Sequence, residues 1–228
     1  MRFRTNKIFE KNKQGKKGIG LGLVYPSAEA IEIIGMLGGF DFVNLDGEHG
    51  LFSPESIDEM CRVADGFGLT VTARVPNIRA STINLFLDRG VTGILGPHIE
   101  TAEDAQALVD ACRFVPDGQR SWGGGRGTYY NSTALLDVPG SERTEFMQQT
   151  NANMLVMGRG NWRPPGRSRT WTRFLRCKGL MPMPGGPTTW HSPWACRDSR
   201  STPMCWQRSG KWRTASTQLA ASSTRTSW

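Results

Sequence analysis

The sequence predicts an α/β fold on a parallel sheet, and three observations lead there. Short β-rich runs alternate with segments whose apolar residues recur at helical spacing. Those helical segments run to about ten residues, enough to carry the chain back along a sheet, so successive strands pair in parallel through right-handed crossovers. The alternation holds from Gly18 to Met157 and then stops. Two architectures satisfy it, a doubly wound sheet and a (β/α)₈ barrel, and both gather chemistry at the carboxyl ends of the strands.

The elements follow in order. Ile19 to Val24 reads as a strand closed by Tyr25-Pro26-Ser27, and Ser27 caps a helix carrying Ala28, Ile31, Ile34 and Leu37. Phe40 to Leu45 is a second strand, closed by Asp46-Gly47-Glu48-His49-Gly50. Ser53-Pro54-Glu55 opens a helix with a cap, a first-turn proline and an acidic first turn, reaching about Gly66. Leu69 to Val75 is a third strand, and Ile78 to Leu87 a helix ending at Asp88-Arg89-Gly90. Val91 to Leu95 is a fourth strand, followed by a helix from Thr101 to about Phe114. A Gly-rich irregular stretch, Pro116 to Gly140, leads to a helix over about Ser141 to Thr150 and a fifth strand, Asn153 to Met157.

Composition divides the chain at the same point. Residues 1–157 hold 15 Lys and Arg against 19 Asp and Glu, whereas residues 158–228 hold 13 against the single Asp198. That 71-residue segment, at +12, carries 7 of the 8 Trp and has no Ile, Val or Tyr. Apolar burial is worth about 25 cal/mol per Å², and ordering costs roughly 1–2 kcal/mol per residue, so such a segment is not expected to fold alone. The expected organisation is a globular part over 1–157 and a disordered basic tail over 158–228. No run of eighteen apolar residues is present and the basic segment Met1 to Lys17 lacks the apolar stretch of a signal peptide, so a soluble cytoplasmic protein is expected. Five cysteines without a C-x-x-C pair suggest neither a disulfide framework nor a zinc knuckle.

The carboxyl-end rule selects His49, Arg74 and His98. His49 lies in a Gly-flanked turn with two carboxylates, a place for a general base or metal ligand, or for an ordinary surface or capping residue. Arg74 ends an otherwise apolar strand, which is costly unless the guanidinium meets an anion, either a substrate or an ion-pair partner across strand ends. His98 sits at an equivalent height and reads more simply as structural. Gly123-Gly124-Gly125-Arg126-Gly127 has two compatible readings, an anion cradle of backbone N–H groups with one guanidinium, or a mobile loop over the site. Gly18-Ile19-Gly20-Leu21-Gly22 is not a dinucleotide fingerprint, because its glycines fall within the strand rather than between strand and helix. Cys61 and Cys112 read as core thiols.

Taken together, Gly39 to Gly50, Ala73-Arg74-Val75-Pro76, Phe86-Leu87-Asp88-Arg89-Gly90, Gly93 to Pro97, and Glu100 to Ala105 running on to Arg113 to Ser121 resemble the HpcH/HpaI aldolase family, in order and spacing, over about residues 5–157. The resemblance implies a (β/α)₈ TIM-type barrel, here incomplete at about five β/α units. It implies an aldehyde-lyase that cleaves a 4-hydroxy-2-oxo acid to pyruvate and an aldehyde through a stabilised enolate. It further implies His49 as base, Asp88 raising the basicity of His49, Arg74 at the enolate oxygen, and a divalent metal (Mg²⁺, Mn²⁺ or Co²⁺); the anion-cradle reading of the glycine run adds Gly124, Gly125 and Arg126 as candidate substrate contacts. The implied partners are a small 2-oxo acid and an aldehyde, within a homo-oligomer, with neither membrane nor nucleic acid.

The chain departs from the family after Met157. The family's metal carboxylates, a Gln-x-Glu on strand five and an Asp on strand six, have no counterpart before Asp198, so no metal ligand is assigned. A displaced reading frame accounts for this. Gly185 to His191 can be encoded GGG GGC CCA ACG ACC TGG CAC, and dropping two nucleotides gives Gly-Pro-Asn-Asp-Leu-Ala, the family's substrate segment. The expectation is an aldolase gene read out of frame from about residue 158, yielding an impaired or inactive chain. Competing readings are a nucleic-acid-binding protein, whose tail interleaves Arg with Trp, and a remnant without activity.

Overall fold

The computed structural model describes residues 4–132 and 143–160, and the backbone of residues 180–183. Among the described residues six strands form one sheet: β1 (Gly20–Leu23), β2 (Phe42–Asp46), β3 (Thr70–Arg74), β4 (Gly93–Gly96), β5 (Leu155–Arg159) and β6 (Leu180–Met183). Every pairing is parallel and the spatial order follows the sequence, β1-β2-β3-β4-β5-β6. This sequential order is that of a (β/α) barrel opened along one seam rather than of a doubly wound sheet, whose order reverses at a switch point.

The helices between these strands are α2 (Ala28–Leu37), α3 (Pro54–Gly66), α4 (Ala80–Asp88), α5 (Ala102–Cys112) and α6 (Arg143–Asn153), with α1 (Lys7–Lys13) preceding β1. Their starts obey local chemistry. Ser27 accepts from the Ala30 N–H, Ser53 and Ser56 form a capping box with Pro54 in the first turn, and Thr101 and Asp104 form another. The main core lies between helices and sheet, where Val43, Leu45, Val71, Ala73, Ile94 and Val156 meet Ile31, Ile57, Met60, Ile83 and Leu108.

The opposite, inner face of the sheet is mixed. One register row crosses it from Asp46 through Arg74, Leu95 and Met157 to Met181. Ile8 and Phe9 of α1 pack against Leu95, Leu155 and Met157. Asn6 anchors α1 at the amino end of the sheet: its Nδ2 donates to Thr92 O and Asn153 O, while Lys7 N–H donates to Thr70 Oγ1. The glycines of β1 lie within the strand, as the sequence predicts. A Cβ at Gly20 would stand 2.4 Å from the Phe42 ring, so glycine there lets Phe42 cover the inner face.

Two elements depart from the expectation. Helix α1 falls in the Lys-rich segment where no element is predicted. Strand β6 falls in the tail, where composition predicts none. Beyond β5 the sheet would end in unpaired N–H and C=O groups, and the short run Leu180-Met181-Pro182-Met183 adds to that edge through its backbone. Pro182 has no N–H to give, which is tolerated because β6 is itself an edge among the described residues. The remainder of the tail, with its interleaved Arg and Trp and the Gly185–His191 segment, lies outside the described residues. Among the described residues no helix is long and apolar enough to cross a membrane.

Candidate active site

Strands β2 and β3 run in register to the pair Asp46 and Arg74, which brings the two side chains together on the inner face at the carboxyl end. Arg74 Nε donates to Asp46 Oδ1 at 2.7 Å, Arg74 Nη2 makes a second bond to Oδ2, and Nη1 lies 3.1 Å from Glu48 Oε2. The side chains of Arg74, Asp46 and Glu48 are only 12%, 16% and 13% exposed, so their charges meet with little water between them. Burial pushes the Asp46 carboxyl up. The Arg74 guanidinium and the backbone N–H groups of His49 and Glu48 outweigh it and hold the group below its ordinary value. The bond to Asp46 raises Arg74 above the ordinary guanidinium value.

The turn after β2 is fixed by close backbone approaches. Glu48 and His49 N–H groups each donate to Asp46 Oδ1 at 3.3 Å, and Gly47 N–H donates to Arg74 O at 2.8 Å. A Cβ at Gly50 would stand 2.3 Å from Val24 O and 2.4 Å from Asp46 O, so only glycine lets the turn pass between the exits of β1 and β2. The turn sets His49 on the surface with its Nε2 3.7 Å from Glu48 Oε2. On the other side of the same carboxylate, His98 Nε2 lies 3.0 Å from Glu48 Oε1. His98 has φ +51°, a left-handed conformation uncommon outside glycine, and it is this turn at the exit of β4 that brings the ring to Glu48.

The structure thus brings together His49, Arg74 and His98 around two carboxylates. Glu48, to which the sequence assigns no specific role, is the hub. His98, read more simply as structural, belongs to this cluster.

Asp88 and the glycine run do not join it. Asp88 is the last residue of α4, a helix that starts beyond the exit of β3 and returns to the start of β4, so it stands at the amino end of the sheet. Its partner is Arg120, with Nη2 3.6 Å from Oδ1. Within one chain it therefore cannot raise the basicity of His49, and the carboxylate beside that imidazole is Glu48. Gly124, Gly125 and Arg126 also lie at the amino end. Cβ atoms at Gly125 and Gly127 would stand 2.4 Å from Asp88 O and 2.0 Å from Leu87 O, so the run packs on the end of α4 rather than over the site. Arg126 is spent on Asp65 at the end of α3.

The family-implied metal does not fit the described donors at the carboxyl end. Asp46 and Glu48 are both engaged by Arg74. Arg159, two residues beyond Met157 and so on the same face of β5, brings a further positive charge toward it. Among the described residues no group of three His, Cys, Asp or Glu is placed to hold a metal ion.

Parallel strands in sequential order, with a basic and imidazole-bearing cluster at their carboxyl ends, define a (β/α)-barrel of the enzymatic kind. The family described as HpcH/HpaI aldolase/citrate lyase matches residues 22–158, and the chain belongs to that family. A 4-hydroxy-2-oxovalerate aldolase from Rhodococcus jostii (strain RHA1) is 33% identical over 114 residues, 50% of this chain and 44% of that protein. A hydroxypyruvate/pyruvate aldolase from Roseobacter denitrificans (strain ATCC 33942 / OCh 114) is 36% identical over 110 residues, 48% of this chain and 43% of that protein. The chain thus spans less than half the length of these curated relatives. The solved HpcH/HpaI aldolase from Desulfitobacterium hafniense DCB-2 shares the fold, with TM-score 0.62 at 22% identity, over 78% of this chain and 65% of that one.

Proposed function

We propose that the chain derives from a carbon–carbon lyase that cleaves a 4-hydroxy-2-oxo acid to pyruvate and an aldehyde. The observation that carries this reading is the convergence of His49 and Arg74 at the carboxyl ends of adjacent strands. The curated relatives named as oxo-acid aldolases support the same chemistry.

In the cleavage direction, the His49 imidazole takes the proton of the C4 hydroxyl. The C3–C4 bond breaks, C4 leaves as the aldehyde, and the released electron pair becomes the enolate of pyruvate, with charge on the C2 oxygen. Proton return to C3 completes pyruvate. A positioned base is worth about 10²–10⁴-fold in rate. Arg74 serves the enolate: two of its five N–H groups are held by Asp46 and Nη1 lies 3.1 Å from Glu48 Oε2, which leaves N–H groups on Nη1 and Nη2 for the developing oxyanion. Asp46 and Glu48 fix the guanidinium, and Glu48 sets the charge beside both imidazoles. No step is assigned to a metal, because the described donors do not fit one.

We further read residues 158–228 as out-of-frame translation. The family match ends at residue 158, where the charge balance reverses and the acidic residues run out until Asp198. On this reading the present chain has little or no lyase activity, and a frame-corrected chain of the same gene is active with Mg²⁺ or Mn²⁺. Pyruvate release from a 4-hydroxy-2-oxo acid, followed with lactate dehydrogenase and NADH, tests both statements. A present chain as active as the corrected one, or a gene in which no frame change restores Gly-Pro-Asn-Asp-Leu, refutes the reading of the tail.

A further inference from the structure

The amino end of the sheet contains a second cluster of charge that the lyase chemistry does not use. A cavity of about 40 Å³ there is lined by Arg4, Arg120, Tyr129, Phe146, Thr150 and Asn153, among others. A buried water needs roughly 10–15 Å³ on such a measure, so the space takes more than one water or a small ion. The Arg120 side chain is 1% exposed, and its guanidinium lies 4.5 Å from the Phe114 ring centroid. Its Nε and Nη2 are buried and make no hydrogen bond. These two nitrogens form one edge of the guanidinium, and their N–H bonds run parallel, the geometry that receives both oxygens of a carboxylate. Thr150, which also lines the cavity, has its Oγ1 buried without a hydrogen-bond partner.

The charges around Arg120 leave its Nε–Nη2 edge without a hydrogen bond. Asp65 pairs with both Arg4, at 3.1 Å, and Arg126. Asp88 Oδ1 stands 3.6 Å from Arg120 Nη2, beyond hydrogen-bond reach, and has no hydrogen bond of its own. Arg4, Arg120 and Arg126 thus share the carboxylates of Asp65 and Asp88, and of the three guanidiniums it is Arg120 that is closed off from water. A buried cation with an unused bidentate edge is costly unless an anion meets it.

We propose that this cavity is a binding site for a small monocarboxylate anion, held by the Nε–Nη2 edge of Arg120 and by the Thr150 hydroxyl, and separate from the His49–Arg74 cluster at the other end of the sheet. The probe is ¹³C-formate, titrated against the full chain while line broadening is followed by NMR. Ionic strength is held with a bulky sulfonate buffer anion too large for the cavity. The expected result is saturable binding of formate that weakens at least tenfold in Arg120→Met, at least threefold in Thr150→Val, and by less than twofold in Arg74→Met. Absence of saturable binding means that the cavity holds water only and overturns the proposal. Binding that survives Arg120→Met, or that disappears only in Arg74→Met, overturns it as well. Should Arg120→Met fail to give a cooperative melt, Thr150→Val decides, and unchanged affinity in that variant counts against the site.

Discussion

Replacing Asp46 by Asn removes one negative charge from the Arg74 fork while keeping the side chain's shape. Asn Oδ1 still accepts the N–H groups of Glu48 and His49 and that of Arg74 Nε, while its amide NH₂ cannot accept from Arg74 Nη2, so the change removes the charge and one arm of the fork together. Removing one partner of a fully buried ion pair costs about 3–5 kcal/mol. Here both partners keep some contact with water and Glu48 remains 3.1 Å from Nη1, so about 2–3 kcal/mol is expected near neutral pH. The pH dependence has a definite sign. The folded Asp46 carboxyl lies below its ordinary value, so its contribution is complete above the unfolded pKa of about 3.9 and is lost as pH falls through the folded value. Urea unfolding of both chains at pH 7, 5, 4 and 3 measures this. The stability gap should hold between pH 7 and 5 and shrink below about 4. A gap under about 0.5 kcal/mol at pH 7, the size expected for an exposed pair, would refute the reasoning, as would one that does not change down to pH 3.

Three further outcomes follow from named contacts. Gly50→Ala should unfold at lower urea by about 2 kcal/mol or more, because its Cβ meets two backbone carbonyl oxygens that cannot swing away; an unchanged midpoint contradicts that geometry. Asn151→Ala should cost about 1–3 kcal/mol, since the buried Asn151 amide accepts from Phe114 N–H at 2.8 Å and donates to Phe114 O at 2.9 Å, and the N–H is left unpaired while the carbonyl keeps the Asp117 and Gly118 N–H groups. Cys61 and Cys112 should resist a thiol reagent in native buffer and react in urea, as judged by mass spectrometry of the labelled peptides. Burial pushes both thiols up, Cys112 to about 12, and rapid native labelling of either would place it outside the core.

Much of the fold was legible because its signals are local. The apolar runs of β2 to β5, Ser27, the Ser53-Pro54 start and Thr101 all state their role within a few residues. Helix α1 was not legible, because seven residues with only Ile8 and Phe9 as apolar anchors give no helical stripe, and its cap Asn6 is held by Thr92 and Asn153, far along the chain. Strand β6 was hidden for a related reason: what orders it is the open edge of β5 rather than its own propensity. At the site, strand ends could be read and side-chain directions beyond them could not. His49 and Arg74 emerged from the carboxyl-end rule, but the bridging of Glu48 to His98 depends on a left-handed turn at His98 that an ordinary Pro-His step does not announce. Asp88 did carry a usable signal. A residue closing a helix just before a strand of a parallel sheet lies at the amino end, opposite the exit turn that holds His49. The run at Gly123–Gly127 suggested mobility, yet Gly125 and Gly127 answer to the carbonyls at the end of α4.

The most direct measurement is exchange of the pyruvate methyl protons in D₂O, read by ¹H NMR on the frame-corrected chain with Mg²⁺, beside its His49→Ala and Arg74→Met variants. Exchange reports enolate formation without any aldehyde. The account predicts loss of methyl signal with the parent and rates at least about 100-fold lower in each variant, the scale of a positioned base or oxyanion donor. Exchange that proceeds at the parental rate without the imidazole or the guanidinium would contradict it.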